Sequence, residues 1–352
     1  MKRFLIAALA LTLVFASLLL ASCQAPTAQH NTQTKQISFI YFNTVSVISA
    51  YGDTSAEEFA RYCDEADRLL DYYHKLFDIY YEYSGVNNLR TVNKNAGIAP
   101  VKVDTELLDF LDYCRELYTL TGGKTNVMLG SVLRIWHDRR EEASDDPSSA
   151  TVPSVSELNA AAEHISFEGL VIDREAGTVY ITDPEASIDV GAIGKGYATE
   201  RLYEKLVAMG ADSVVLNVGG ALRTIGVKPD GSLWTSGITN PDKSSLESLK
   251  CKIDLGETSL VTSGDYERYF TVDGKRYHHI IDPDTLFPAE YFSSVSIFTK
   301  DAALADALST ALFCMSYEQG LALVEAIGEV DVLWIYSDGS MKYTDGVIFH
   351  RD

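Results

Sequence analysis

Asp306 and Thr310, in the segment KDAALADALSTALF, are four residues apart, so on a helix their oxygens face the same way. A carboxylate, a hydroxyl and nearby carbonyls make a hard oxygen site suited to Mg²⁺, which keeps water and ligand phosphates as its remaining ligands. Solvated or capping side chains are the alternative. The neighbouring Ala302, Ala303, Ala305, Ala307 and Ala311 predict close packing, in which an unpaired carboxylate is costly and a partner is expected. A second segment, SIDVGAIGKGYATE from Ser187 to Glu200, reads as a strand end, a Gly-rich turn and the first turns of a helix. Unpaired N–H groups at a helix start, Gly191, Gly194 and Gly196 for close backbone approach, and Lys195 as a movable cation together fit an oxyanion such as a phosphate. The spacing matches neither a Walker A loop nor the dinucleotide G-x-G-x-x-G, and a plain turn with a solvated lysine is the other reading. In RYHHIIDPDT, His278 and His279 alternate along a strand and point to opposite faces, so one can act as a general base while the other is structural. TSGDYERYF, Thr262 to Phe270, is a further polar loop; Tyr80, Tyr81 and Tyr83 can stack on a flat ligand or pack at a core rim.

These groups need elements to hold them. Ile37 to Ala50 alternates as a strand. Ser55 with Glu58 forms a capping box opening a long amphipathic helix with Phe59, Tyr62, Cys63, Ala66, Leu70, Tyr73 and Phe77 at helical spacing. DIYYEYSGVNNLRTVNKNAG breaks both periods and reads as an ordered loop. Asp104 caps a second helix that Gly122 and Gly123 end. Ala143 to Ser156, rich in Ser, Asp and Pro, reads as an exposed excursion. From Gly169 onward short strands dominate, with Asp273-Gly274 and Asp338-Gly339 as hairpin turns and helices near 197–209, 302–315 and 318–327. The mixture predicts an α+β domain with mixed or antiparallel sheets, not a doubly wound parallel sheet.

Composition narrows the partners. With 50 acidic against 29 basic residues and a formal charge of −21, the 352-residue chain repels a broad nucleic-acid interface. A compact anionic ligand remains compatible where a metal and local donors outweigh that field. Lys2 and Arg3, the apolar run Phe4 to Leu20, and Leu20-Ala21-Ser22-Cys23 resemble a bacterial lipoprotein signal with its lipobox; an uncleaved membrane anchor is the alternative. On that reading residues 1–22 are a signal peptide, 23–36 a lipidated Cys23 and flexible tether, and 37–352 the working domain on the outer side of the cytoplasmic membrane. Cys63, Cys114, Cys251 and Cys314 show no metal-ligand spacing; they read as buried thiols, with two disulfides as the alternative.

Taken in order, FDIYYEYSGVNNLRTVN, GGKTNVMLGSVLRIWH, IDVGAIGKGYATE, LNVGG, TSGDYERYF, HHIIDPDT and DALST resemble the ApbE family, the bacterial FAD:protein FMN transferases. The resemblance runs from YFNT at Tyr41 to VIFH and implies an FAD cleft between subregions of an α+β fold. Matched by position, Phe42, Tyr80, Lys124, Thr125, Asn126, Asp189, Lys195 and Ile280 would contact FAD. The Ala192 carbonyl, Asp306, Ser309 and Thr310 would hold Mg²⁺, and His279 matches the catalytic histidine. Three positions depart from the family pattern: Phe42-Asn43 where Met-Gly is usual, Thr125-Asn126-Val127 for Asp-Pro-Thr, and Leu286 for Gly.

The activity implied is Mg²⁺-dependent transfer of the FMN moiety of FAD to a Ser or Thr hydroxyl of an extracytoplasmic flavoprotein, with AMP released. Acceptors implied are FMN-binding subunits of Rnf-type or sodium-pumping quinone reductase complexes or of exported reductases. Two alternatives share the same residues: a metal-dependent FAD pyrophosphatase giving FMN and AMP, and a non-catalytic flavin-binding lipoprotein.

Overall fold

The structure, a computed structural model, describes residues 35–351. The expected signal peptide, Cys23 and nearly all of the expected tether lie outside the described residues. Among the described residues no helix is long and apolar enough to cross a membrane.

The chain opens with strands β1 (Lys35–Tyr41) and β2 (Thr44–Ala50), then helices α1 (Ala56–Phe77) and α2 (Leu89–Lys94), strand β3 (Val101–Lys102), and helices α3 (Thr105–Leu120), α4 (Gly130–Asp145) and α5 (Val155–Ala162). Strands β4 (Leu170–Asp173) and β5 (Thr178–Ile181) lead to α6 (Gly194–Ala208). A run of strands follows: β6 (Ser213–Val218), β7 (Ala221–Gly226), β8 (Trp234–Thr239), β9 (Leu249–Leu255), β10 (Ser259–Gly264), β11 (Tyr269–Val272), β12 (Lys275–His278) and β13 (Ser294–Thr299). Helices α7 (Ala302–Phe313) and α8 (Tyr317–Ile327) and strands β14 (Asp331–Ile335) and β15 (Met341–Tyr343) complete it.

Eight strands form the main sheet in the order β1-β2-β6-β7-β10-β13-β14-β15, every pair antiparallel. One face carries the helices. Leu70, Phe77, Ile193, Leu202 and Val214 belong to a core over the β2–β6 half, while Leu308, Leu312, Phe313, Ile297 and Trp334 fill the β13–β14 half. The other face is covered by the β8–β9 ribbon, with Trp234, Ile253 and Leu255 against Leu260, Phe298 and Leu333. β13 is buried at every position, as expected of a strand covered on both faces. A smaller layer joins α4, α5 and the β11–β12 hairpin through Trp136, Leu158, Phe270 and Tyr277.

The α+β architecture agrees with expectation, as do the Ser55 capping box on α1 and the Asp104 cap on α3. Three local expectations are corrected. Ile37 to Ala50 is a hairpin, because Phe42 (φ 53°) and Asn43 (φ 54°) take the left-handed turn that folds β2 back on β1. The expected loop after α1 contains α2, capped by the buried Asn88, whose side chain accepts the Thr91 N–H. Ala143 to Ser156 is not simply an excursion: it holds the end of α4, buries Ala143 and runs into α5. All four described cysteines are free thiols, and Cys63, Cys114 and Cys314 are buried.

Candidate active site

The Gly-rich turn leads into α6, which lies against α7. A Cβ at Gly196 would collide with the Ala302 carbonyl oxygen and sit 2.5 Å from Asp306 Cβ, so only glycine permits this approach. The Gly196 N–H, one of the unpaired donors of the helix start, donates to Asp306 Oδ2 at 2.8 Å. The converse contact lies one turn further on: Glu200 of α6 accepts the Ala302 N–H at the start of α7 at 2.8 Å, and its other partner is Arg223 at 3.2 Å. Burial pushes the Glu200 carboxyl up, opposed by the Ala302 N–H and by Arg223. The partner expected for Asp306 is thus the start of α6, with Lys195 Nζ 3.7 Å from the same Oδ2.

The oxygens around Asp306 suit a hard cation. Ser309 donates to the Asp306 carbonyl at 2.8 Å and lies 2.8 Å from the Ser263 hydroxyl on β10. The backbone ladder of α6 begins with Ile193, whose carbonyl accepts the Tyr197 N–H, which leaves the Ala192 carbonyl outside it. Thr310 stands one helical turn beyond the buried Asp306. Among the described residues no group of three or more His, Cys, Asp and Glu is placed to hold a metal. A cation at Asp306 therefore draws its other ligands from hydroxyls, carbonyls, water and substrate, the donor set Mg²⁺ accepts and thiophilic metals do not.

The two histidines face opposite ways, as alternation predicts. His278 is buried, with Nε2 2.9 Å from the Ala289 carbonyl and Nδ1 accepting the Ile280 N–H at 3.2 Å. Both nitrogens are used, and burial holds this ring below the ordinary histidine range. His279 is tied only through its backbone, its N–H donating to the Arg268 carbonyl at 3.0 Å, and its buried Nδ1 has no hydrogen-bond partner. Burial, then Arg268, His278, Arg140 and Lys195, hold its imidazole well below the ordinary range, so the ring is a neutral base at neutral pH.

The other sequence-marked residues are held in different ways, and the contacts of Phe42 and Asn126 do not reach this centre. Asp189 accepts the Gly191 N–H at 2.8 Å; burial raises its carboxyl, opposed by that bond and by Arg268, His137 and Arg140. Tyr80 is half-exposed, its ring 5.6 Å from that of His137, and burial and then Asp189 raise its hydroxyl. Phe42 packs edge-on to His74 at 5.7 Å. Lys124 reaches Asp282 at 2.6 Å and Asp284 at 2.8 Å, pairs that outweigh its burial and raise its ammonium. Thr125 donates to the Ala307 carbonyl at 2.8 Å, and Asn126 to that of Ile165 at 3.0 Å. Lys124 and Thr125 thus tie their loop to the segment after His279 and to α7, and the buried Ile280 offers its carbonyl to Ala289.

Sequence reasoning missed Arg140, His137 and Arg268 as neighbours of His279 and Asp189. Arg268 lay within the polar loop already singled out; His137 and Arg140 lie on α4, whose apolar stripe of Val132, Trp136 and Ala143 was the available signal. Two departures from the family pattern have a backbone meaning: Asn43 (φ 54°) and Leu286 (φ 63°) occupy left-handed conformations where the usual residue is glycine.

Residues 42–334 match the ApbE family. An FAD:protein FMN transferase of Treponema pallidum (strain Nichols) is 32% identical over 274 residues, covering 74% of each chain. Another, from Vibrio cholerae serotype O1, is 30% identical over 336 residues, covering 93% of each. Among solved structures, an ApbE protein from Thermotoga maritima superposes with a TM-score of 0.77 at 26% identity, covering 89% of this chain and 97% of that one. The flavin transferase ApbE from Vibrio cholerae gives 0.72 at 28% identity, covering 88% and 97%. With the family's match spanning most of its length, this chain belongs to the ApbE family.

Proposed function

We propose that this chain is an FAD:protein FMN transferase that joins the FMN moiety of FAD to a Ser or Thr hydroxyl of an extracytoplasmic flavoprotein and releases AMP. The observation that carries the reading is His279: a neutral imidazole with a buried, unpartnered nitrogen, beside the strand and helices that bring Lys195 and Asp306 together. The acceptor hydroxyl gives its proton to the His279 imidazole as its oxygen attacks the FMN-side phosphorus. The bond from that phosphorus to the bridging oxygen breaks, and AMP leaves with the electron pair. The products are a phosphoester-linked flavoprotein, AMP and one proton.

Asp306, Thr310, the Ala192 carbonyl and Ser309 are the residues that would hold Mg²⁺, which when bound offsets charge on the pyrophosphate and on the leaving AMP. Lys195 supplies a fixed positive charge beside Asp306. Tyr80 and Phe42 offer ring faces for the flavin, and Asp189 a carboxyl for hydrogen bonding. The acceptor class we assign is the FMN-binding subunit of Rnf-type, sodium-pumping quinone reductase or exported reductase complexes. Lipid on Cys23 would hold the enzyme on the same side of the membrane. A Cys23→Ser chain should lose fatty-acid label and its membrane fraction while a soluble chain from Ile37 keeps its activity; retained label, or lost activity in the soluble chain, overturns the assignment of the anchor.

The deciding measurement is mass spectrometry of the protein incubated with FAD, Mg²⁺ and an FMN-binding domain of an exported reductase. A gain of one FMN on a Ser or Thr of the acceptor, with AMP, is expected. AMP and free FMN with unmodified acceptor would establish a pyrophosphatase instead.

A further inference from the structure

His279 lies just beyond β12, and Arg268 just before β11. The hairpin register pairs Tyr269 with His278 and Phe270 with Tyr277, so the next rung outward joins Arg268 to His279, and the His279 N–H to Arg268 carbonyl bond at 3.0 Å closes it. Residues directly opposed in an antiparallel ladder share a face. Arg268, Phe270, Tyr277 and His279 therefore lie on one face, while His278 and Tyr269 lie on the other, where His278 meets Phe313. The Arg268 face is the one packed on α4: Trp136 lies 5.9 Å from Tyr277 in a stacked pair and 6.2 Å from Phe270. Arg140 is four residues, about one turn, beyond Trp136 on the same side of α4. The helix that seats the aromatic half of the hairpin thus brings a guanidinium to its histidine end. Arg140 is half-buried and fixed by a 2.8 Å contact from Nη2 to His137 Nδ1.

In histidine-based acyl-transfer sites, a carboxylate hydrogen-bonded to the second ring nitrogen orients the imidazole and stabilises its protonated form. No such carboxylate meets His279 Nδ1. Cations surround the ring instead: Arg140 from α4, Arg268 from across the hairpin and Lys195 from α6, with His278 adjacent on its own strand. Among the described residues neither Arg140 nor Arg268 forms a salt bridge, whereas Arg115, Arg139, Arg174 and Arg223 each pair with a carboxylate. Asp189, the nearby carboxyl, is engaged with the Gly191 N–H.

We propose that Arg140 and Arg268 are positioning residues for the transfer reaction: two guanidiniums, one half-buried on the helix and one exposed on the opposing strand, that disfavour a proton on the His279 ring and so keep it from resting as the imidazolium in the free protein. This rests on the proposed transferase reading for its catalytic meaning, but its physical content belongs to the free protein. Removing either cation lowers the penalty for the imidazolium, so the ring should titrate at higher pH.

The test is NMR titration of the His279 ring in the full domain, free of FAD, for wild type, Arg268→Gln, Arg140→Gln, the double variant and Arg268→Lys. Arg268 is solvent-exposed, so its substitution leaves the core intact. Each single glutamine variant should move the His279 midpoint up by about one pH unit, a tenfold gain in the protonated fraction on the flank of the titration, and the double variant further. Arg268→Lys should titrate as wild type does. The acidic limb of kcat/KM should move up in parallel. An unmoved His279 midpoint in both glutamine variants, or a rate that falls equally at all pH with the limb in place, overturns the proposal. Shifted midpoints in a protein that transfers no FMN would leave it standing and remove the transferase reading instead.

Discussion

At the α6–α7 contact two helices approach so closely that a glycine is required, and each supplies a carboxylate to the other's first turn: Asp306 to Gly196 and Glu200 to Ala302. At the open end of the β11–β12 hairpin the reverse holds, with an exposed arginine, a half-buried arginine and a histidine whose buried nitrogen has no partner. The first region fixes positions by steric exclusion and saturated hydrogen bonding. The second leaves bonding capacity open and fixes a charge state. A group-transfer site needs both: ligands that do not move, and a base that is not already occupied.

The contrast should break most severely at Asp306. Asp306→Asn keeps an oxygen for the Gly196 N–H but removes the anionic charge, so we expect a chain with near-native unfolding behaviour and no measurable Mg²⁺-dependent turnover; an unchanged rate overturns the metal assignment. His279→Ala should lower transfer by about 10² to 10⁴, the usual scale of a positioned base, with FAD binding retained in equilibrium titration. Gly196→Ala tests the steric half: overpacking against a backbone carbonyl that cannot step aside should reduce unfolding stability by about 3 kcal/mol, measured by urea denaturation.

His278→Ala separates the two histidines. Its loss should remain within about tenfold in rate but cost about 1–3 kcal/mol through the orphaned Ile280 N–H and Ala289 carbonyl. Because burial lowers the His278 pKa on folding, the unfolded chain binds the extra proton more readily; the ring's contribution is present above about pH 6.5 and is lost as pH falls below it. The acid side of the stability profile should accordingly flatten in His278→Ala. Asn43→Gly is the mildest change, a gain of up to about 1 kcal/mol at a left-handed turn position, read as a small rise in Tm.

The comparison also explains what the sequence disclosed. Asp306 and Thr310 at helical spacing and the opposed faces of His278 and His279 are local patterns found as read, whereas Gly196, read as room for a ligand, instead admits α7 and gives its N–H to Asp306. The partner of Asp306 was expected without being identifiable, because nothing local says that a helix start 110 residues earlier will meet it. The hairpin of β1 and β2 was hidden by Phe42-Asn43, a pair lacking the glycine that usually marks such a turn. Arg140 escaped notice because α4 mixes charged residues into its apolar stripe, and only docking of the helix on Tyr277 turns one of them toward His279.

The contacts that complete the site have a kinetic consequence. Gly196 meets Asp306 across 110 residues, Lys124 meets Asp282 across 158, and Thr125 meets Ala307 across 182. Such pairings form late, since long loops must close before any of them is gained. The nascent chain therefore has no functional centre until α7 has emerged, by which point nearly nine-tenths of the sequence has been synthesised. Truncated or incompletely folded products should be inert toward FAD, so activity itself reports completion of the fold.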